Sequence, residues 1–288
     1  MEQMCELVPV SRASFYRHWE EQEPEAAAMV LQDAIQKAAL EHRSYGYRRI
    51  KIEIEKAGLV VGVKKVRGIM RQDNLLAVRR RKFVVTTDSA HSYRVFPNLA
   101  QYLELSDVNQ LWVADLTYLR LENEFVYLAV VLDAWSRKVV GWALGRSLDH
   151  QLTMAALEAA IQTRRPTPGL VHHSDRGSQY ACSEYVQRLE QIGATLSMSR
   201  PGRPWENGKC ESFLKTLKQE EVDARPYRDF AELQFHIHEF IEQVYNTTRL
   251  HSALQYQSPA DFEQSRRSML PAALLLPRSE EVKPDAVA

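Results

Sequence analysis

The chain has 288 residues, 45% of them hydrophobic, and 37 basic residues balance 37 acidic ones to a formal net charge of zero. That length suits one large or two modest domains with a substantial core. Cys5, Cys182 and Cys210 lie far apart with neither disulfide nor metal-ligand spacing, no apolar run approaches the roughly 18 residues of a membrane span, and the N-terminus is too polar for a signal peptide; together these point to the cytoplasm.

The zero balance hides an uneven distribution. From His42 to Arg94 there are 14 Lys or Arg against four acids (Glu53, Glu55, Asp73 and Asp88), a local charge of +10. A basic segment ahead of a more acidic body is a footprint of DNA binding by one part of a chain; a solvated helical face is the competing reading.

The first hundred residues read as helical. Val10–Arg17 has a Ser N-cap and a short amphipathic stretch, like the closing half of a helix-turn-helix. Pro24 suits the first turn of the helix that follows. Tyr47–Glu55, a break at Gly58, and Val63–Arg71 form two short helices about a glycine, the second rich in Lys and Arg, which fits a helix-turn-helix. Arg48, Arg49, Lys64, Lys65, Arg67 and Arg71 are its candidate DNA contacts. Arg79, Arg80 and Arg81 open a basic stretch without period that reaches about Asp107, either a DNA-backbone contact or a plain connector.

After Asp107 the period becomes that of strands. Leu111–Leu119, Phe125–Asp133 and Lys138–Leu144 are β-branched or aromatic runs separated by polar turns, as in an antiparallel meander. Ala155–Gln162 is predicted helical, Leu170–His173 a strand, Ser183–Ile192 a helix and Thr195–Met198 a strand. Asn207–Val222 and Phe230–Tyr245 follow as helices, and the last dozen or so residues as a loose tail. This order is that of a ribonuclease H-like α/β fold, a mixed five-stranded sheet with flanking helices behind an all-α region. The predicted divisions are 1–95 (helical, DNA-binding), 96–107 (linker), 108–262 (catalytic core with its C-terminal helices) and 263–288 (tail).

Three carboxylates carry the chemistry. Asp115 interrupts the apolar run Leu111–Leu119, Asp175 ends the run from Val171, and Glu211 follows Asp175 after 35 residues. A carboxylate at strand centre is costly to desolvate without a compensating cation or hydrogen bonds. Oxygen-rich acidic clusters are how proteins hold Mg²⁺, with waters and substrate phosphates completing the shell. The chemistry indicated is metal-assisted phosphoryl transfer on nucleic acid. Glu211, Lys215 and Lys218 fall at i, i+4 and i+7, so one helix face presents a carboxylate and two cations; an ordinary solvated Glu–Lys pair is the alternative. His173 alternates onto the face of Asp175 and is a possible orienting group or simply packed. Asp133 reads as a turn cap, Glu206 as a helix-start acid, and Trp205 beside Pro204 as a packing anchor.

These motifs resemble the DDE transposase and retroviral integrase superfamily, and within it the OrfB products of the bacterial insertion sequence three family. The resemblance rests on Trp112–Tyr118, His172–Tyr180, Glu206-Asn207-Gly208 leading to Glu211, Leu132–Arg137 and Tyr245–Ser252, and spans about residues 8–262. It implies Asp115, Asp175 and Glu211 as catalytic metal ligands, two Mg²⁺ ions with Mn²⁺ as substitute, and water attack at an element end. The released 3′-OH then attacks a second phosphodiester directly. It also implies double-stranded DNA (terminal inverted repeats and target) as partner, a multimer on that DNA, and an upstream OrfA product or its frameshift fusion supplying a further DNA-binding module. Localisation would be the bacterial cytoplasm, at the nucleoid. Two other readings compete: a DNA-binding regulator of transposition without catalysis, and a ribonuclease H-like nuclease that only hydrolyses.

Overall fold

The computed structural model describes residues 26–73, 75, 93–121 and 124–269. The predicted helix-turn-helix half at Val10–Arg17, the basic run Arg79-Arg80-Arg81 and the tail beyond 269 lie outside the described residues. The rest forms two compact units, one within residues 26–75 and the other within 93–269. No helix among the described residues is long and apolar enough to cross a membrane.

The first unit is three helices, α1 (Ala26–Glu41), α2 (Tyr47–Lys56) and α3 (Val63–Gln72). Ile35, Ile50, Ile54, Val66 and Met70 recur at helical spacing and are buried together, so each short helix is held by its neighbours. Gly58, at φ +86°, turns the chain out of α2 in a conformation that strongly favours glycine. Gln32 and Gln36 both donate to the Asp73 carboxylate, tying α1 to the end of α3.

The second unit is built on β1 (Leu111–Arg120), β2 (Phe125–Asp133), β3 (Val139–Gly145), β4 (Val171–Ser174) and β5 (Thr195–Met198). The sheet order is β3-β2-β1-β4-β5, with β1, β2 and β3 antiparallel and β4 and β5 parallel to β1. Helices cover both faces, the ribonuclease H-like arrangement expected from the element order. Side chains alternate along a strand, so β1 sends Val113 and Leu119 to one face and Trp112 and Ala114 to the other.

The first face is covered by α7 (Gly208–Leu217) and α8 (Phe230–Glu239), through Phe213, Leu217, Leu233 and Ile237. The second is covered by α4 (His150–Arg164) and α6 (Ser183–Gln191), with the one-turn α5 (Ser178–Ala181) between β4 and α6. α4 begins five residues before the apolar run that signals it, because the Asp149 carboxylate caps the Leu152 N–H at 3.1 Å. Both α7 and α8 continue into π-helical turns, Lys218–Val222 and Phe240–Tyr245. A last helix, α9 (Pro259–Met269), runs past the predicted core boundary at residue 262. Its Glu263 is buried and ion-paired with the equally buried Arg164 of α4, which keeps this turn packed where polarity suggested a tail.

α4 crosses β3 at Gly141, where a Cβ would stand 2.2 Å from the Ala156 carbonyl oxygen and 2.5 Å from the Ala160 nitrogen. Both are backbone atoms and cannot rotate away. Gly141→Ala will therefore destabilise the protein by about 1–3 kcal/mol or more, read as a fall in the urea midpoint. A midpoint equal to the native one would mean that α4 shifts freely over the sheet.

Candidate active site

Asp115 lies mid-strand on β1, opposite Val130 of β2. β4 pairs with β1 only as far as Val113↔His173. Continued two steps, that register sets Asp115 level with Asp175, at the point where the two strands part. Each aspartate has one carboxylate oxygen held by a nearby backbone N–H: the Leu116 N–H donates to Asp115 Oδ1 at 2.8 Å, and the Gly177 N–H to Asp175 Oδ1 at 2.9 Å. A side chain at Gly177 would crowd this arrangement, since a Cβ would stand 3.0 Å from that same Asp175 oxygen.

Glu211 comes from the exposed side of the first turn of α7, whose other side buries Cys210, Phe213, Leu214 and Leu217. The start of α7 is fastened to β1 directly. The buried Asn207 side chain donates through Nδ2 to the Ala114 carbonyl at 2.8 Å, and the Cys210 thiol lies 3.9 Å from the Val113 carbonyl. The helix carrying the third carboxylate is thus fixed to the two residues before the first.

The electrostatics register this proximity. Asp115 keeps some accessible surface, yet desolvation is the largest influence on its carboxyl; with the negative charges of Asp175 and, more weakly, Glu211, it raises the pKa to about 7. The Leu116 N–H and Lys218 oppose the rise. Lys218, at the start of the π-turn, sits 4.7 Å over the Tyr118 ring, and burial lowers its pKa against the pull of Asp223 and Asp115. Lys215 is exposed on the outer side of α7.

This donor set suits a hard divalent cation. The carboxylates crowd one another when charged, and two polar atoms near them, Asn207 Oδ1 and the Tyr180 hydroxyl, are buried without a hydrogen-bond partner. Among the described residues no group of three His, Cys, Asp or Glu side chains stands close enough together to hold a metal ion, so Glu211 is not drawn in to the aspartate pair in this structure. The arrangement is instead open, a close aspartate pair with a more distant glutamate, as oxygen-ligated Mg²⁺ sites that keep waters require.

His173 is buried, and its two ring nitrogens meet Ser197 Oγ at 2.8 Å and Ser199 Oγ at 3.0 Å. Burial lowers its pKa to about 4 and keeps it neutral. It links β4 to the β5 strand and the residue after it, beside the site rather than in it. Asp133 caps its turn, accepting from the Trp135 and Ser136 N–H groups at 3.0 Å each and from the Asn109 N–H at 2.7 Å. Glu206 accepts from Arg200 and Asn98, which commits it to the loop before α7. Trp205 is 67% exposed, against the packing role read for it, because the turn Pro204–Asn207 spends its inward side on Asn207. Arg249 is buried in a bidentate pair with Glu220, so it braces the π-turn after α7.

In the helical unit, Lys64, Lys65, Arg67 and Arg71 are exposed along α3, and Arg48 and Arg67 each lie 5.6 Å from the Tyr47 ring. Arg49 rests on Tyr45. Lys64, Arg67, Gly68 and Arg71 line a shallow concavity of about 260 Å³.

Comparison with known proteins adds the following. Two integrase core domain families match residues 106–204 and 192–259, and an HTH-like domain family matches residues 26–83. The chain is 37% identical over 271 residues to an insertion element IS600 uncharacterized 31 kDa protein of Shigella sonnei, covering 92% of this chain and 99% of that one. It is 36% identical over 237 residues (82% and 94%) to the transposase for insertion sequence element IS904 of Lactococcus lactis. It is 32% identical over 266 residues (90% and 92%) to transposase InsF for insertion sequence IS3A of Escherichia coli. Among solved structures, a simian T-cell lymphotropic virus intasome chain aligns with TM-score 0.46 at 15% identity, covering 88% of this chain and 80% of that chain. The HTLV-2 integrase catalytic core in complex with magnesium gives 0.43 at 16%, covering 55% and 97%.

The raised pKa of Asp115 has a definite sign in stability. Between the unfolded value of 3.8 and about 7 the folded state binds the extra proton, so the metal-free protein loses stability as pH rises through that window. Asp115→Asn removes the penalty. In EDTA at pH 8 the variant will be more stable than the native chain by about 1–3 kcal/mol, less than the roughly 4 an undamped shift would give, since the residue keeps accessible surface. The gain will vanish near pH 4. A variant no more stable at pH 8, by thermal unfolding at both pH values, would mean that the carboxylate is not strained.

Proposed function

The chain belongs to the family of IS3-type insertion-sequence transposases that includes these relatives, and on that footing we propose that Asp115, Asp175 and Glu211 are its catalytic metal ligands. The observation that carries this reading is the register of β1 and β4, which sets two aspartates level, with α7 fastened to β1 one residue from the first of them. Mg²⁺, replaceable by Mn²⁺ and bound as two ions, would neutralise the carboxylates and polarise the scissile phosphodiester and its attacking oxygen for in-line displacement.

The chain's own residues then have distinct tasks. Asp115 and Asp175 fix the reacting centre, each held to one orientation by a backbone N–H. Glu211 closes the third side from the exposed face of α7. Lys215 and Lys218 meet phosphates flanking the scissile bond, with Lys218 steadied on the Tyr118 ring. His173 acts through Ser197 and Ser199, holding β4 and Asp175 in line. A water oxygen attacks the phosphodiester at an element end and leaves a 3′-OH; that hydroxyl attacks a target phosphodiester, one P–O bond forming as another breaks.

The helical region up to residue 95 binds double-stranded DNA through Arg48, Arg49, Lys64, Lys65, Arg67 and Arg71; the catalytic core read from the sequence as 108–262 also takes in residues 96–107, read as a linker, whose Asn98 and Leu99 bond to Glu206 and Ser197, and runs on through α9. Arg79, Arg80 and Arg81 extend the same contact on the sequence side of that region. The chain works as a multimer on terminal inverted repeats and target, with an upstream OrfA product or fusion supplying further end recognition, at the nucleoid of the bacterial cytoplasm.

The test is joining of labelled DNA carrying the element's own ends, in Mg²⁺ or Mn²⁺, by the native chain, by its fusion to the upstream module and by Asp175→Asn. Joined products should form only with metal and fall by about three orders of magnitude in the variant, about 4 kcal/mol of barrier. Nicks without joining, even in the fusion, would favour a hydrolytic nuclease. Binding without cleavage would leave a regulator.

A further inference from the structure

Tyr180 sits on α5, five residues after Asp175, and is 3% exposed. Its ring stands edge-on to that of Tyr185, with centroids 5.5 Å apart and planes at 82°. The two tyrosines differ in one respect. The Tyr185 hydroxyl meets His172 Nε2 at 3.1 Å, whereas the Tyr180 hydroxyl is buried with no partner. An unsatisfied buried hydroxyl costs about 1–3 kcal/mol, and a phenylalanine would pack in the same space without it. The hydroxyl therefore calls for an acceptor that the metal-free arrangement does not bring within reach.

The surroundings name that acceptor. At Gly177, the point where a Cβ would stand is 3.0 Å from Asp175 Oδ1, 3.0 Å from Gln179 Oε1 and 3.7 Å from Tyr180 Cδ2, so the tyrosine ring edge and the Asp175 carboxylate both border this turn, with the Gln179 amide oxygen beside them. After burial and Tyr185, the charges of Asp115 and Asp175 are what raise the hydroxyl's pKa, so both carboxylates lie near it. The Cys210 thiol acts in the same direction.

We propose that the Tyr180 hydroxyl is a positioning group of the carboxylate site, donating a hydrogen bond into the Asp115–Asp175 pair once a divalent cation draws the two together. This rests on the reading of those aspartates as cation ligands. The hydroxyl fixes carboxylate orientation from behind, in the way that outer partners of metal-binding carboxylates and imidazoles hold their ligands. It touches neither substrate nor reacting atoms.

Tyr180→Phe in the full chain tests this with two measurements made without substrate, Mn²⁺ titration followed by electron paramagnetic resonance and thermal unfolding in EDTA. Asp115→Asn serves as the control. The variant should unfold in EDTA at the native temperature or above it, because the orphan hydroxyl is gone, and should bind Mn²⁺ about tenfold more weakly. Native Mn²⁺ affinity in Tyr180→Phe, with binding lost in Asp115→Asn, would overturn the role of Tyr180 and leave the carboxylate site intact. A lower unfolding temperature in EDTA would overturn it too, since the hydroxyl would then already have a partner in the metal-free fold. Native protein that binds no Mn²⁺ would overturn the carboxylate reading and this proposal together.

Discussion

The parallel pairing of β1 with β4 covers Leu111–Val113 and Val171–His173 and stops two residues short of Asp115 and Asp175. Everything else in the site is arranged around that short ladder. Were it longer, the aspartates would lie inside the sheet with no space between them for a ligand. Were it slipped by one residue, one carboxylate would point to the opposite face. The chain guards the register from both sides. The alternation of Trp112 and Val113 between two separate apolar layers fixes β1, and His173, bonded to Ser197 and Ser199, fixes β4 against β5.

The unfavourable electrostatics of the site follow from that geometry. Two carboxylates at one level, one of them largely desolvated, repel each other, and the fold tolerates this through its core of apolar contacts on both sheet faces. Most of the polar neighbours are committed elsewhere. Glu206 and Glu220 are given to arginines, Asp133 to backbone N–H groups, and His173 is neutral. Lys218 stands nearby but is held on an aromatic face. A cation bound between two such carboxylates would offset their repulsion.

Much of this was legible in the chain. The strands announce themselves because β-branched and aromatic runs alternate with polar turns, and all five fall within a residue or so of their predicted bounds. Asp115 and Asp175 stood out because a charge within an apolar strand has no cheap explanation. Other features left no such mark. Asn207 lies in a polar turn, and nothing in Glu206-Asn207-Gly208 says that its amide will reach a carbonyl of a strand 93 residues earlier. Tyr180 looks like any core aromatic until its hydroxyl is found alone. Trp205 misled because large aromatics are usually buried, while its turn uses its inner side for Asn207. Glu263 looked like surface because pairing with Arg164 across the fold has no local signature. Local period and composition report on the elements; long-range polar pairings are decided by topology.

The helical unit adds a second chemistry to the same chain. Its core is small and apolar, and its basic side chains collect on α3 and around Tyr47, so charge rather than shape is what it offers a partner. Anomalous diffraction from crystals of the full chain grown with Mn²⁺ tests most directly whether the aspartate pair and Glu211 form one cation site. Manganese bonded to oxygens of both Asp115 and Asp175, with Glu211 as a ligand or one water away, is the result this account predicts. Manganese bound elsewhere, or no ordered manganese with the two carboxylates still side by side, would contradict it.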